Sequence, residues 1–329
     1  MTSAATQSIS ALDDARLRSL LASASALRPQ GGGAIARVRR APGAYHSSFA
    51  IEDVELTFDD GTTRSLVLKD LTPAALPADA RRAKPAFLDD PRREIETYRH
   101  VLGPYGITAP ALIAAAVDDA RQSYALLLEN IDGVPLWQIG EWDTWLEAAR
   151  WLAATHDRLA GAAPSLAAPA RLLRYDADYY AFWRDRLRRF SRPMTREILR
   201  AYDQVVRRLL ELPRTVIHGE FHASNILVEQ ASPASRIRPV DWEMAAYAPG
   251  LMDLADLCGG KWSAEQRNGL AEAYRGRDAD AQFHRDLDCC RVHRAVQWTC
   301  WAEGWSPPAE HAQDWPGEAA RVAAGLGLL

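Results

Sequence analysis

The stretch Thr215-Val-Ile-His-Gly-Glu-Phe-His-Ala-Ser-Asn-Ile-Leu-Val228, followed after a short connection by Pro239-Val-Asp-Trp-Glu243, decides how this chain reads. Residues 215–217 and 226–228 are apolar or β-branched, the signature of short buried strands, and the polar residues between them fall in a turn. This turn and the next one present a carboxylate (Glu220), a carboxamide (Asn225) and a second carboxylate (Asp241). Hard oxygen donors of this kind suit magnesium, and a carboxylate beside them can aim a hydroxyl and take its proton. That is the equipment of phosphoryl transfer, which asks a protein chiefly for positioning and charge neutralisation. The flanking strands are expected to hold the loop rigidly between them. His218 reads as an organiser of the loop rather than a base. The plainer reading of the same residues is a polar turn joining two core strands, with His218 and Asn225 satisfied by backbone groups.

The pattern His-Gly-acid-x-x-x-x-Asn, followed by Asp-Trp-Glu, resembles that of the aminoglycoside phosphotransferase and choline kinase family. The resemblance implies an α+β, two-lobed, protein-kinase-like fold. A small antiparallel-sheet N-lobe would span residues 1–129, and a mainly helical C-lobe with the catalytic loop, metal site and acceptor pocket would span residues 130–329. It implies a small-molecule kinase that moves the γ-phosphate of ATP or GTP to a hydroxyl of an antibiotic, amino sugar or amino alcohol. In that frame Glu220 is the catalytic acid-base residue, and Asn225 and Asp241 hold Mg2+. Glu220 stands where the family nearly always has Asp, one methylene longer, or roughly 1.5 Å of extra reach. The alternative is therefore a catalytically impaired pseudokinase that binds nucleotide or ligand for regulation or sequestration. His222 also has counterparts in the family and would line the acceptor side.

Composition bounds the possibilities from outside. The chain has 329 residues, 48% hydrophobic and 9% aromatic, enough to bury a large core in one or two units. A net charge of -4 and a pI near 6.1 argue against a nucleic-acid partner. Cys258, Cys289, Cys290 and Cys300 lack metal-ligand spacing and fit reduced core thiols. The N-terminus has no basic segment before an apolar core, and the apolar run 109–117 is too short to cross a bilayer. The expectation is a cytoplasmic protein without membrane contact, monomeric or homodimeric, whose partners are a nucleoside triphosphate and a small hydroxyl-bearing acceptor.

Upstream, the pattern predicts a helix over 11–26 and strands over 34–40, 49–58 and 65–69, with Asp60-Gly61 as a hairpin turn. Lys69 then ends a buried strand, where an ammonium needs a partner. Residues 91–101 have helical spacing, with Ile95, Tyr98 and Val101 or Leu102 on one face. Glu94 can reach Lys69, with Glu96 as the competing choice. Lys69 taken alone also reads as a strand-end lysine snorkelling to water. The family resemblance implies that Lys69 holds the nucleotide phosphates and Glu94 orients it, that Val67 covers the adenine and Leu227 supports it from below. Residues 42–48 occupy the place of a phosphate loop, with Ser47 and Ser48 as hydroxyl donors, and read equally well as a polar hairpin loop.

Residues 123–128 form a predicted strand ending at Glu129-Asn-Ile-Asp-Gly133. By the same resemblance the Glu129 carbonyl and the Ile131 amide would bind the adenine edge. Beyond it, Asp143 is the expected N-cap of a helix over 144–160, with Trp145, Ala149, Leu152, His156 and Leu159 on its buried side. Residues 162–170 read as a loop, followed by a helix rich in Tyr179, Tyr180 and Trp183. His156 reads as a core or loop-supporting histidine. Asp253 reads either as an N-cap or as the acceptor of catalytic-loop amides. The last third carries Trp298, Trp301, Glu303, Trp305, Glu310, Asp314 and Trp315, either core or the wall of an acceptor pocket for a cationic or ring-bearing molecule.

Overall fold

Alternate residues of the strand Ser123–Glu129 enter two different cores, and this single fact explains its nearly unbroken apolar sequence. Ala125 and Leu127 belong to a cluster with Leu17, Leu20 and Leu21 of the first helix, whereas Tyr124, Leu126 and Leu128 join the main core. A strand covered on both faces has no reason to alternate with polar residues. The computed structural model describes residues 12–24, 34–43, 49–76, 84–190, 193–229, 236–260, 262–276, 279–301 and 313–329.

Five antiparallel strands, β1 (Ile35–Pro42), β2 (Ala50–Phe58), β3 (Thr63–Asp70), β4 (Leu112–Asp118) and β5 (Ser123–Glu129), form one sheet in the order β1-β2-β3-β5-β4. The Asp60-Gly61 hairpin closes as expected, with Gly61 at φ +80°. Helix α1 (Asp14–Ser23) lies against one face and is shorter than the predicted 11–26. Asp13 sets its start by accepting from the Arg16 N–H, and residues 11, 25 and 26 lie outside the described set. On the other face lies α2 (Arg93–Thr97), which widens into a π-helical turn over Tyr98–Leu102. The predicted single α-helix is corrected here. The wider turn lets Tyr98, Val101 and Leu102 all enter the core, beside Ile95.

The rest is mainly helical: α3 (Trp142–Ala160), α4 (Ala163–Leu166), α5 (Ala177–Leu187), α6 (Pro193–Glu211), α7 (Leu251–Leu257), α8 (Ala264–Arg275), α9 (Ala281–Trp301) and α10 (Trp315–Gly325). This gives the α+β, two-lobed, protein-kinase-like fold with an antiparallel sheet followed by a helical region. Two local expectations are corrected. Asp143 is not the cap of α3: the helix begins two residues earlier than expected, after Glu141, and Asp143 sits in the first turn, where its charge still suits the helix dipole. The predicted loop 162–170 contains the helical turn α4. The buried side of α3 is as predicted, from Trp145 to Leu159, and all four cysteines are buried free thiols. Among the described residues no helix is long and apolar enough to cross a membrane.

Two small sheets position the loop quoted first. β8 (Arg214–Ile217) pairs with β11 (Ala246–Pro249), which pairs in turn with β7 (Leu173–Arg174). β9 (Ile226–Glu229) lies between β10 (Ile237–Pro239) and β6 (Gly133–Pro135). The two strands flanking the loop therefore belong to different sheets, and the loop is hung between them. Both sheets rest on the one helical core, so each end of the loop is fixed independently.

Candidate active site

The turn after β8 needs a glycine. Gly219 has φ +87°, and a Cβ there would come within 2.2 Å of the Met244 carbonyl oxygen. No other residue fits that close approach. Behind the turn, Asp253 of α7 is fully buried and accepts from the backbone N–H groups of His218 (2.7 Å) and Gly219 (2.8 Å). The α7 cap is Gly250, so Asp253 holds the loop rather than its own helix. His156 of α3 faces the same carboxylate through Nε2 (3.3 Å) and meets the Tyr274 hydroxyl through Nδ1 (2.9 Å). From α9, Arg294 grips Asp256 through two nitrogens (2.5 and 2.6 Å) and donates to the Gly219 carbonyl (2.8 Å).

The His218 ring ties the two turns together: Nε2 contacts the Val240 carbonyl (2.9 Å), and Nδ1 accepts from the Glu220 N–H (3.3 Å). Burial holds its pKa below the ordinary value, against the pull of Asp253, so the ring is neutral and can accept at Nδ1. Asn225 is held three ways. Its N–H donates to the His222 carbonyl (2.8 Å), its carbonyl accepts from Val240 (2.9 Å), and its side-chain Nδ2 donates to the Glu220 carbonyl (3.0 Å). With Nδ2 so engaged, Oδ1 is the atom left to face outward.

In front of the loop lies a cluster of charge. Lys69, at the end of β3 and 4% exposed, donates to Glu94 Oε2 (2.6 Å) and to Asp241 Oδ1 (2.5 Å). The other oxygen of Glu94 accepts from the Trp242 N–H (3.2 Å), which couples α2 to the turn bearing Asp241. Asp241 adopts a left-handed backbone (φ 68°, ψ 60°), a strained choice for a residue with a Cβ, and this conformation aims its carboxylate at Lys69. Glu96 pairs instead with Arg92, Arg99 and His100, whose side chains reach solvent, and Lys69 pairs with Glu94.

Burial alone would strip the charge from Lys69, but Asp241, Glu94 and Glu243 outweigh it and hold its pKa above the ordinary value. Burial also works against ionised Asp241, yet Lys69, His218 and Lys84 keep it below the usual carboxylate range. Glu94 is lifted, first by burial and then by the Asp241 and Glu243 charges, although Lys69 pulls the other way. Glu220 is half-buried; desolvation first, then Glu243 and Asp241, push its carboxyl up to about 8. The imidazole of His222, beside the Trp298 ring at 5.4 Å, is driven down to about 3 by burial, Arg294 and His218.

Of the residues singled out in the sequence, the structure brings together Lys69, Glu94 and Asp241, and it places Asn225 against Glu220 on the adjoining loop. Val67 and Lys69 share a strand face opposite to Leu66 and Leu68, which pack with α1. Leu227 is buried in β9. At the end of β5 the Glu129 carboxylate accepts from the Ala111 N–H (3.0 Å), and the Ile131 carbonyl accepts from Gly133 (3.0 Å). Ser47, Ser48, Glu303, Trp305 and Glu310 lie outside the described residues. Trp298, Trp301 and Trp315 form an aromatic group at the end of α9 and the start of α10, with Trp298 and Trp315 stacked at 5.8 Å. Asp314 caps α10 through the Gly317 N–H.

Sequence reasoning passed over two residues of the cluster. Glu243 stands two positions after Asp241, and its carboxylate accepts from Lys84 (3.0 Å). Its place in the Asp-Trp-Glu triplet was signal enough to find it. Lys84 gave no such signal, because it lies in a connection without periodicity. Among the described residues no group of three or more His, Cys, Asp and Glu side chains is arranged to hold a metal ion by itself. The second oxygen of Asp241 and Oδ1 of Asn225 are hard donors of the kind magnesium takes, and they fit a metal that completes its shell with phosphate and water.

Residues 53–291 match the sequence profile of the phosphotransferase enzyme family. No curated protein matches the chain. Among solved structures, it resembles the GDP complex of wild-type aminoglycoside 2'-phosphotransferase-IIIa, with 12% identity, a TM-score of 0.57, and 95% of this chain and 98% of that one covered. A microcompartment-associated aminopropanol kinase gives 15% identity, a TM-score of 0.58 and coverage of 88% and 90%. A choline kinase from Streptococcus pneumoniae gives 14%, 0.56, and 90% and 94%. At these identities the likeness is one of fold.

Proposed function

The chain belongs to the phosphotransferase enzyme family, and from that premise we propose that it is a small-molecule kinase, using ATP or GTP to phosphorylate a hydroxyl of an antibiotic, amino sugar or amino alcohol. The observation that carries the reading is the buried ammonium of Lys69 shared between Glu94 and Asp241, one turn away from the anchored amide of Asn225. A buried ammonium held between two carboxylates, near the end of the central strand of a sheet, is suited to a polyphosphate.

Residues 1–129 would then supply the nucleotide side and residues 130–329 the acceptor side. Lys69 binds phosphate oxygens while Glu94 keeps it in place. Val67 and Leu227 face the base, and the Glu129 carbonyl and Ile131 N–H meet its edge. Ser47 and Ser48 would donate to the phosphates. Asp241 and Asn225 would hold Mg2+, which supplies charge neutralisation on the phosphates when bound. Glu220 accepts the hydrogen bond of the acceptor hydroxyl and takes its proton as the oxygen bonds to the γ-phosphorus. The bond from that phosphorus to the bridging oxygen breaks, and the nucleoside diphosphate leaves with the electron pair.

Release of ADP or GDP by purified protein, in the presence of magnesium and a panel of aminoglycosides, choline, ethanolamine, aminopropanol and sugars, tests the reading, with Asp241→Ala as control. Acceptor-stimulated turnover absent from the variant is expected. Nucleotide binding without turnover on any acceptor would favour the pseudokinase reading, for which Glu220 in place of Asp is the supporting observation.

A further inference from the structure

Lys84 enters the charge cluster from the connection between β3 and α2. Its side chain is 7% exposed, and its ammonium donates to Glu243 Oε2 at 3.0 Å, with the Glu243 side chain itself 9% exposed. The same ammonium lies 5.5 Å from the centroid of the Phe49 ring, while that of Lys69 lies 5.8 Å from it. Phe49 directly precedes β2 and follows the residues read as the phosphate loop. Two buried ammonium groups, from separate parts of the chain, thus converge on one buried ring.

Their hydrogen-bonding states differ. Lys69 is committed to two carboxylates, whereas among the described residues Lys84 donates to Glu243 alone. An ammonium has three N–H donors, so Lys84 keeps more capacity for a new acceptor. Its partner Glu243 stands two residues after Asp241, and its ammonium shares the Phe49 ring with that of Lys69, so it sits beside the Lys69–Asp241 pair. An ion pair serving the fold alone would gain little from sitting there. Burying two charges for stability is rarely better than burying apolar groups of similar size.

We propose that Lys84 is a phosphate-binding residue of this site, held ready by Glu243 and turned onto the terminal phosphate of a nucleoside triphosphate. The proposal rests on the kinase reading above. Lys69 would then serve phosphates common to di- and triphosphate, and Lys84 would read the one that only the triphosphate has. The expected signature is selectivity between the two nucleotides rather than affinity for both.

Calorimetric titration of the full chain with a non-hydrolysable triphosphate analogue and with the diphosphate, magnesium present throughout and in both adenine and guanine forms, tests this. Lys84→Met should weaken the analogue by ~10- to 100-fold, the loss of one or two charge-assisted hydrogen bonds, and leave diphosphate affinity within about twofold. Lys84→Arg should recover part of the loss. Because Lys84→Met strands the Glu243 carboxylate, the comparison is repeated between Glu243→Gln and the double variant Lys84→Met/Glu243→Gln, in which no buried charge is orphaned. A double variant as selective for triphosphate as Glu243→Gln alone, or an equal loss of both nucleotides, would overturn the proposal and leave Lys84 as a structural ion-pair partner. A wild-type chain that binds none of the four nucleotides would overturn the kinase reading, and Lys84 with it.

Discussion

Two charged networks meet at the loop between β8 and β9, one behind it and one in front, and they are built on opposite rules. Behind, every charge is matched by fixed donors. Asp253 takes two backbone N–H groups and faces His156, and Asp256 is gripped through both oxygens by Arg294, which also holds the Gly219 carbonyl. In front, three carboxylates (Glu94, Asp241 and Glu243) share two ammonium groups, Lys69 and Lys84. The rear network is complete and fixes one shape. The forward one carries excess negative charge in a desolvated place, which a cation and a polyphosphate would balance together. The contrast separates residues whose loss should cost folding from those whose loss should cost only chemistry.

The largest expected effect is in front. Asp241→Ala should lower turnover by on the order of a thousandfold or more, while the melting temperature stays near the wild-type value because Lys69 keeps Glu94. Differential scanning fluorimetry beside the nucleotide-release assay checks both halves. Behind the loop the pattern should invert. Asp253→Ala leaves two buried N–H groups without an acceptor and should cost roughly 3–5 kcal/mol of folding stability. Urea unfolding that shows Asp253→Ala as stable as Asp241→Ala would erase the distinction between the networks.

A pH series sharpens the same contrast. Burial works to raise the pKa of Asp253, but His156, His218 and the Gly219 N–H outweigh it and hold the group below its ordinary value. A carboxylate depressed in the native state gives its full stabilisation above its unfolded pKa of about 3.9. On acidification the unfolded chain takes up the proton first, so this contribution falls as pH drops through the folded value. The other titratable or charged groups on that side are His156, whose ring meets Asp253, His218, whose backbone N–H does, and the Asp256–Arg294 pair beside the same loop. Unfolding free energies measured from about pH 6 to 3 should fall less steeply for Asp253→Asn than for wild type. Parallel slopes would remove Asp253 as the acid-sensitive element.

The forward network was more legible in the sequence than the rear one, for a physical reason. Lys69 and Glu94 sit on a strand and a helix that the sequence pattern shows, so the partner of Lys69 could be narrowed from pattern to Glu94 or Glu96. Asn225 and Asp241 lie in turns whose residue types already name a chemistry. Arg294 and Asp256 meet across two helices far apart in the chain, and nothing local marks either one. The suspension of the loop between two sheets was equally hidden, because β8 could pair with β9 or with β11 on propensity alone, and only the packed core selects β11. The π-turn at Tyr98 depends on the same core. Lys84 escaped notice because a lone lysine in a connection reads as a solvated one until its burial is seen.

The smallest effect tests the register choice that the sequence left open. Glu94 and Glu96 lie on the same short helix and are both buried, at 1% and 6% exposure, so burial does not tell them apart. Their partners do. Glu94 faces a buried ammonium and a backbone N–H, whereas Glu96 meets Arg92, Arg99 and His100, which are 34%, 39% and 46% exposed. Charges that reach water lose little when a partner is neutralised, so Glu96→Gln should change stability by less than about 1 kcal/mol and nucleotide affinity not at all. Glu94→Gln keeps the shape but frees Lys69 to lean wholly on Asp241, and it should weaken nucleotide binding by roughly tenfold or more. The two substitutions are identical in chemistry and two residues apart, so the difference between them isolates the inward-facing contact. Equal losses in nucleotide titrations would mean that the helix as a whole, rather than the Glu94 carboxylate, positions Lys69.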